Sequence, residues 1–277
     1  MEDLFLNVCG KTDRGCIRKR NEDNILISHP MVDFEAGYYH GNRVNLSTNG
    51  VLMMIADGMG GANAGEVASE IAKGIAEHRW PSAESIEVAP KRYLSNVILE
   101  VHSAIGEYSK RHSGLDGMGT TIILGWLVHN MLHVSWVGDS RCYVLSENGE
   151  KTSFRPFTDD HSLVWSFVMS GEMTSEQART DERSNIILQC LGGNSAKPVP
   201  DYRCHQIKRG DRLLFCSDGL NSMLADSKIF DILNTDNDTC TTCEALISTA
   251  KEAGGYDNIS VLISDVVGGV GQKNSGR

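Results

Sequence analysis

The stretch Val51-Leu-Met-Met-Ile-Ala-Asp57-Gly-Met-Gly-Gly61 constrains the chain most, because an unbroken apolar run ends in one aspartate and three glycines follow within four residues. A short apolar run bounded in this way reads as a buried strand. It delivers a carboxylate to its own end. The glycines after Asp57 let the backbone turn sharply and bring a carbonyl close to whatever that carboxylate holds. Leu213-Leu-Phe-Cys-Ser-Asp218-Gly219 and Val134-Ser-Trp-Val-Gly-Asp139 repeat the pattern. Three strand-end aspartates raise the expectation that they converge on the same cations.

The hydrophobic pattern around that strand predicts the other elements. Alternation over residues 4–10 predicts a strand, a polar loop follows to Asp23, and residues 24–28 form a second strand. Residues 30–49, rich in Gly, Asn, Tyr and His and without a clear period, are expected to be one long hairpin connection. Helices are predicted over 64–80, where Val67, Ile71 and Ile75 recur every four residues, and over 89–112, where Tyr93, Val97, Val101, Ile105 and Tyr108 form a stripe. From Thr120 the period drops to two. Strands over 120–128, 131–137 and 141–146 are expected, with His129-Asn130, Gly138-Asp139-Ser140 and Glu147-Asn148-Gly149 as hairpin turns. A short apolar helix after Ser162 breaks at Gly171. Further strands are predicted at 186–191, 202–207, 212–216 and 259–266, with helices at 228–233 and 240–253.

This order suits an α+β fold, a four-layer α-β-β-α sandwich of two antiparallel sheets flanked by helix pairs. Nothing in the interior reads as a linker or repeat, so residues 1–267 are expected to form one domain and 268–277 a flexible tail. No apolar run approaches the roughly 20 residues that span a bilayer, and the start lacks the basic residues of a secretion signal, so the expected location is the cytoplasm.

A net charge of -10 argues against broad binding to nucleic acid or anionic membrane, with Lys11, Arg14, Arg18, Lys19 and Arg20 as a local exception. Eight cysteines are too few for a disulfide scaffold, and Cys190 and Cys216 sit in apolar runs as buried thiols would. Cys240-Thr-Thr-Cys243 has no second pair to complete the four ligands of a structural zinc.

The chemistry-bearing residues are Glu22, Asp23, Asp57, Asp139, Asp218 and Asp257, each beside Gly, Asn or Ser rather than on a charged helix face. Carboxylates gathered at low dielectric repel one another unless a cation neutralises them. Hard oxygen ligands suit magnesium or manganese, and two such ions sharing a carboxylate activate water. Any single aspartate is equally a turn or cap residue. That reading weakens when several strand ends share the pattern.

Arg18-Lys-Arg-Asn-Glu22-Asp23, Asp57-Gly-Met-Gly-Gly61 with Gly65-Glu-Val-Ala-Ser69, Gly117-Met-Gly-Thr-Thr121, Val137-Gly-Asp139-Ser140-Arg141, Thr158-Asp-Asp-His161-Ser162, Ser217-Asp218-Gly219-Leu220 and Asp257-Asn258 occur in this order. Together they resemble the motifs of the metal-dependent protein phosphatases, the PPM or type 2C family, in the bacterial form. The resemblance implies a protein serine/threonine phosphatase that uses two Mn2+ or Mg2+ at one end of the sandwich. Asp57 would bridge them and the Gly58 carbonyl would bind one. Asp218 and Asp257 resemble the remaining direct ligands, and Glu22 and Asp23 resemble residues that hold the metals through water, with Asn258 orienting Asp257. Asp139 with Asp218 resembles a third, weaker metal site. Arg18 matches the arginine that grips the substrate phosphate, and a metal-bridging hydroxide would attack phosphorus in line. The implied partners are phosphorylated proteins and a Ser/Thr kinase whose work is reversed; the expected state is a monomer.

The sequence departs from that pattern where many relatives place a histidine, at Met59, Ala62 and Asn63, which leaves the proton donor unassigned and His161 as a second choice. No cysteine starts the C-x5-R signature of thiol phosphatases. Residues 162–185 correspond to the segment called the flap in bacterial relatives; this segment or residues 30–49 would shape substrate choice or cover a sheet edge. A nucleotide loop is excluded because Asn63 stands at the third glycine of G-x-G-x-x-G and no G-K-[ST] follows. The basic cluster lacks the interleaved aromatics of an RNA arm, and its expected use is to receive an acidic, phosphorylated segment. The competing reading is a non-catalytic phosphoprotein-binding pseudophosphatase; retention of every expected carboxylate argues against it.

Overall fold

The computed structural model describes residues 3–35, 38–46, 49–60, 64–79, 89–148, 151–192 and 196–269. The chain opens with β1 (Leu4–Asp13), β2 (Asp23–Ser28), β3 (Asp33–Glu35), β4 (Tyr38–Asn45) and β5 (Val51–Met59). Helices α1 (Ala64–His78) and α2 (Pro90–Arg111) follow, then β6 (Gly119–Thr120), β7 (Ile122–Val128), β8 (Met131–Val137), β9 (Arg141–Asn148) and β10 (Lys151–Pro156). The last part runs through α3 (Leu163–Met169), α4 (Ser175–Thr180), β11 (Leu191–Gly192), β12 (Asp201–Gln206), β13 (Arg212–Cys216), α5 (Asp218–Asn221), α6 (Asp226–Leu233), α7 (Thr239–Glu252) and β14 (Ile259–Gly268).

One sheet has the order β10-β9-β13-β14-β1-β4-β3 and the other β11-β6-β5-β7-β8-β12, with β2 also paired to β5. Helices α1 and α2 pack together over the second sheet, and α7 lies on β1 and β14 with α6 beside it. The four-layer sandwich is therefore present. Strand β13 shows why its sequence is apolar throughout: Leu213 and Phe215 point into the core between the sheets, while Leu214 and Cys216 point into the layer under α6 and α7. A strand covered on both faces has no solvent side to leave polar. Helix α7 starts where the Asp238 side chain accepts from the amides of Cys240 and Thr241.

The tertiary structure differs from the sequence reading in several places. Residues 30–49 are not one connection but contain β3 and β4. Pairing with β1 slips between Leu6↔Val44 and Val8↔Gly41, and Arg43 has φ 54, so a bulge breaks the alternation that would have marked the strand. Residues 186–191 form no long strand, since Ile186 and Leu188 are exposed and their backbone pairs briefly with the start of α3. Gly138-Asp139-Ser140 is not a hairpin turn: β8 and β9 lie in different sheets, and Gly138 at φ 117 redirects the chain between them. Finally, Cys9 and Cys240 form a disulfide with Cα atoms 5.2 Å apart, and Cys190 is only partly buried. Separation by 231 residues hid that pairing from sequence spacing. Strand β10 also went unmarked. The expected tail lies outside the described residues from position 270 onward.

Among the described residues, no helix is long and apolar enough to cross a membrane.

Candidate metal centre

The carboxylates arrive at one end of the sandwich from separate elements. Asp23 opens β2 directly opposite Asp57 near the end of β5, Asp218 is the first residue of α5, Asp139 lies in the inter-sheet crossover, and Asp257 precedes β14. The strand end is pressed against α1: a Cβ on Gly58 would lie 2.2 Å from the Gly65 carbonyl oxygen and 2.6 Å from that of Glu22. Only glycine fits there. The Gly58 amide donates to the Glu22 carbonyl at 3.2 Å, which ties β5 to the residue before β2.

Charge shows that the predicted residues meet. Burial pushes the Asp57 carboxyl well above its usual range, and Asp23, Asp218, Asp139 and Asp257 push it further. Burial does the same to Asp139, aided by Asp218 and Asp160. Asp23 is pushed up to about 7, chiefly by burial, although it accepts from the Ser217 and Ser260 hydroxyls at 2.8 and 2.6 Å. Asp218 is pushed up to about 6 by burial and then by Asp257, with its hydrogen bond to Asp57 opposing. Glu22 is also raised by burial, against the pull of Arg18.

The donor set fits divalent cations. Buried Oδ1 atoms of Asp23, Asp139 and Asp218 have no hydrogen-bond partner, and an orphaned buried carboxylate oxygen is costly unless a cation meets it. Among the described residues, no three His, Cys, Asp or Glu side chains stand close enough together to hold one ion by themselves, so the other ligands of a divalent cation here would be waters and carbonyl oxygens.

The Arg18 guanidinium donates to Asp257 Oδ2 at 2.6 Å, so the expected phosphate ligand sits at the rim of the acidic cluster. His161 is occupied elsewhere: its Nδ1 accepts from the Gly138 amide at 3.2 Å and its Nε2 lies 3.3 Å from Asp201. It holds the crossover in place. Met59 ends β5, while Ala62 and Asn63 lie outside the described residues. Helices α3 and α4 form the far wall of a cleft of about 230 Å³, where Val164, Trp165 and Arg179 face Asp139, Asp218 and Asp257.

Sequence reasoning gave no role to several supporting residues. Thr120 Oγ1 and the Thr121 amide both donate to the Asp57 carbonyl at 2.8 Å, which explains the Gly-Thr-Thr motif. Ser217 and Ser260 fix Asp23. Arg141 pairs bidentately with Asp160 at 2.8 and 2.7 Å, joining two motifs that looked independent. Asn258, expected from the sequence to orient Asp257, donates its backbone amide to Asp257 Oδ1, and its side chain also reaches back to the loop that carries Arg18, a contact the sequence did not indicate.

A family profile described as Protein phosphatase 2C matches residues 39–251. The chain is similar to the Serine/threonine phosphatase stp of Listeria welshimeri, 34% identical over 255 residues, 91% of this chain and 93% of that one. Its structure resembles the Mycobacterium tuberculosis serine/threonine phosphatase PstP/Ppp with a TM-score of 0.78 and 28% identity, covering 95% of this chain and 99% of that one. A PstP catalytic domain in complex with two manganese ions is similar with a TM-score of 0.75 and 30% identity, over 95% and 99% of the two chains.

Proposed function

Because the chain belongs to the protein phosphatase 2C family, in its bacterial form, and is a metal-dependent protein serine/threonine phosphatase with a dinuclear metal site, we propose how its own residues divide that work. Asp57, the Gly58 carbonyl, Asp218 and Asp257 would hold two cations, manganese or magnesium, with Glu22 and Asp23 acting through water. Asp139 and Asp218 would hold a third, weaker ion. The observation that carries this reading is the convergence of these carboxylates with unpartnered buried oxygens.

When bound, the two cations lower the pKa of water and offset the charge of the phosphoryl group. Arg18 offers its planar fork to two phosphate oxygens and orients the monoester. Thr120 and Thr121 keep Asp57 in place, and Ser217 and Ser260 direct Asp23. Cys216, two residues before Asp218, is buried and its thiol is pushed up, so it stays neutral and is no nucleophile. Transfer of the phosphoryl group directly to water needs no phosphoenzyme.

Residues 1–267 act as one catalytic domain, as a monomer, on phosphoproteins made by a Ser/Thr kinase. No apolar run in the sequence reaches membrane length, and the Cys9–Cys240 disulfide is a bond that a reducing compartment disfavours. No observation favours the pseudophosphatase reading. The test is hydrolysis of p-nitrophenyl phosphate and a phosphothreonine peptide with manganese: activity should vanish after chelation and in Asp57→Asn, and full activity in either case would overturn the metal mechanism.

A further inference from the structure

The loop between β1 and β2 gathers cations in a chain of net charge -10. Arg14, Ile17, Arg18, Lys19 and Arg20 are all exposed. Two of these cations are committed, Arg18 to Asp257 at 2.6 Å and Arg20 to Glu66 at 3.3 Å. The other two are not: Arg14 reaches the Lys19 carbonyl at 3.5 Å, and neither Arg14 nor Lys19 has a carboxylate partner among the described residues.

The loop is nevertheless held in a fixed shape. The buried Asn258 side chain donates to the Arg14 and Arg20 carbonyls at 3.0 and 2.9 Å and accepts from the Glu22 amide at 2.8 Å. The Cys16 amide donates to the Gly255 carbonyl at 2.8 Å. One residue beyond that bond on each segment, Ile17 and Tyr256 are 64% and 63% exposed. The rim next to Arg18 and Asp257 thus presents two free cations and two exposed apolar side chains on a braced backbone.

A peptide that offers its phosphorylated residue to Arg18 must run on across this rim. An extended chain advances about 3.4 Å per residue, so neighbours within three positions lie within roughly 10 Å of the phosphate. Resting on the phosphatase reading above, we propose that this rim is a specificity site for phosphoserine and phosphothreonine segments with Asp or Glu within about three residues of the phosphate, and that Arg14 and Lys19 are the discriminating residues. The protein as a whole is acidic and repels such segments, whereas Arg14 and Lys19 offer them positive charge that no carboxylate among the described residues pairs. Two exposed pairs of this kind are worth about a three- to tenfold preference at low salt.

The experiment compares kcat/KM for two phosphothreonine peptides that differ only in carrying Glu or Lys at the flanking positions, on the full chain with manganese and with p-nitrophenyl phosphate as an internal reference. The native protein should favour the Glu peptide about three- to tenfold, mainly through KM, and the ratio should fall toward one in high salt. In Arg14→Ala/Lys19→Ala the ratio should approach one, and in Arg14→Glu/Lys19→Glu it should invert. Equal rates on the two peptides with the native protein, or a preference that survives both double substitutions, would overturn the proposal. If the native protein fails even on p-nitrophenyl phosphate, the phosphatase reading falls and the rim proposal falls with it.

Discussion

Arg18 Nη2 lies 2.6 Å from Asp257 Oδ2, so the side chain assigned to the phosphate already contacts a carboxylate assigned to a metal. A guanidinium this close lowers the negative potential that attracts a divalent cation. Arg18→Ala should therefore separate two effects: KM for a phosphothreonine peptide rises about tenfold through loss of charge-assisted hydrogen bonds, while manganese binding measured by calorimetry tightens about two- to fivefold. An unchanged KM would mean that Arg18 does not reach the phosphate.

In chelated protein the acidic cluster sets an unusual pH dependence. Asp23 at about 7 and Asp218 at about 6 both titrate above the 3.8 of an unfolded aspartate. The folded state holds these protons more tightly, so the associated stability is complete below pH 3.8 and is lost as pH rises through 6 and 7. Thermal melts in chelator should shift upward from pH 7.5 to 5.5, by on the order of 1 kcal/mol per pH unit for each group. With saturating manganese the trend should reverse, because protons then compete with the cations. Identical profiles with and without metal would refute the assignment.

Asn258→Ala removes the donor to the Arg14 and Arg20 carbonyls and the acceptor for the Glu22 amide in a buried position. We expect a loss of about 2–4 kcal/mol in denaturant unfolding, with faster amide exchange over residues 14–22 at temperatures where the fold persists. Asn258→Asp keeps the acceptor but loses both donated bonds, so it should rescue little of the loss. Unaltered exchange in that loop would show that the bonds do not brace it.

The Cys9–Cys240 disulfide leaves the other six of the eight cysteines as thiols. Thiol titration of the denatured, oxidised protein should find six groups, and eight after reduction. Cys240→Ser should lower stability by about 2–5 kcal/mol, because the bond closes a long loop between β1 and α7. Eight thiols without reductant would show that the pair is open.

Much of the candidate site was legible because its residues sit in local signals. Asp57 and Asp218 end apolar runs, and the glycine after each marks a turn or close approach; pattern alone exposes both features. Less local features escaped. Strand β4 was hidden by a bulge at Arg43, and β10 lies at the sheet edge, where little burial imposes a period. The crossover at Gly138 looked like a hairpin because sequence shows that a chain turns but not which sheet it joins.

By itself, then, the sequence determined which side chains stand at strand ends, which helices carry an apolar face, and that a hard-cation centre was available. Those depend on spacing along the chain. Only the tertiary structure decided that Asp23 faces Asp57, that Arg18 meets Asp257, that Asn258 braces the basic loop, and that Cys9 finds Cys240. Each of these pairs residues far apart in sequence. Their approach is set by sheet register and by packing between layers, which no local pattern encodes.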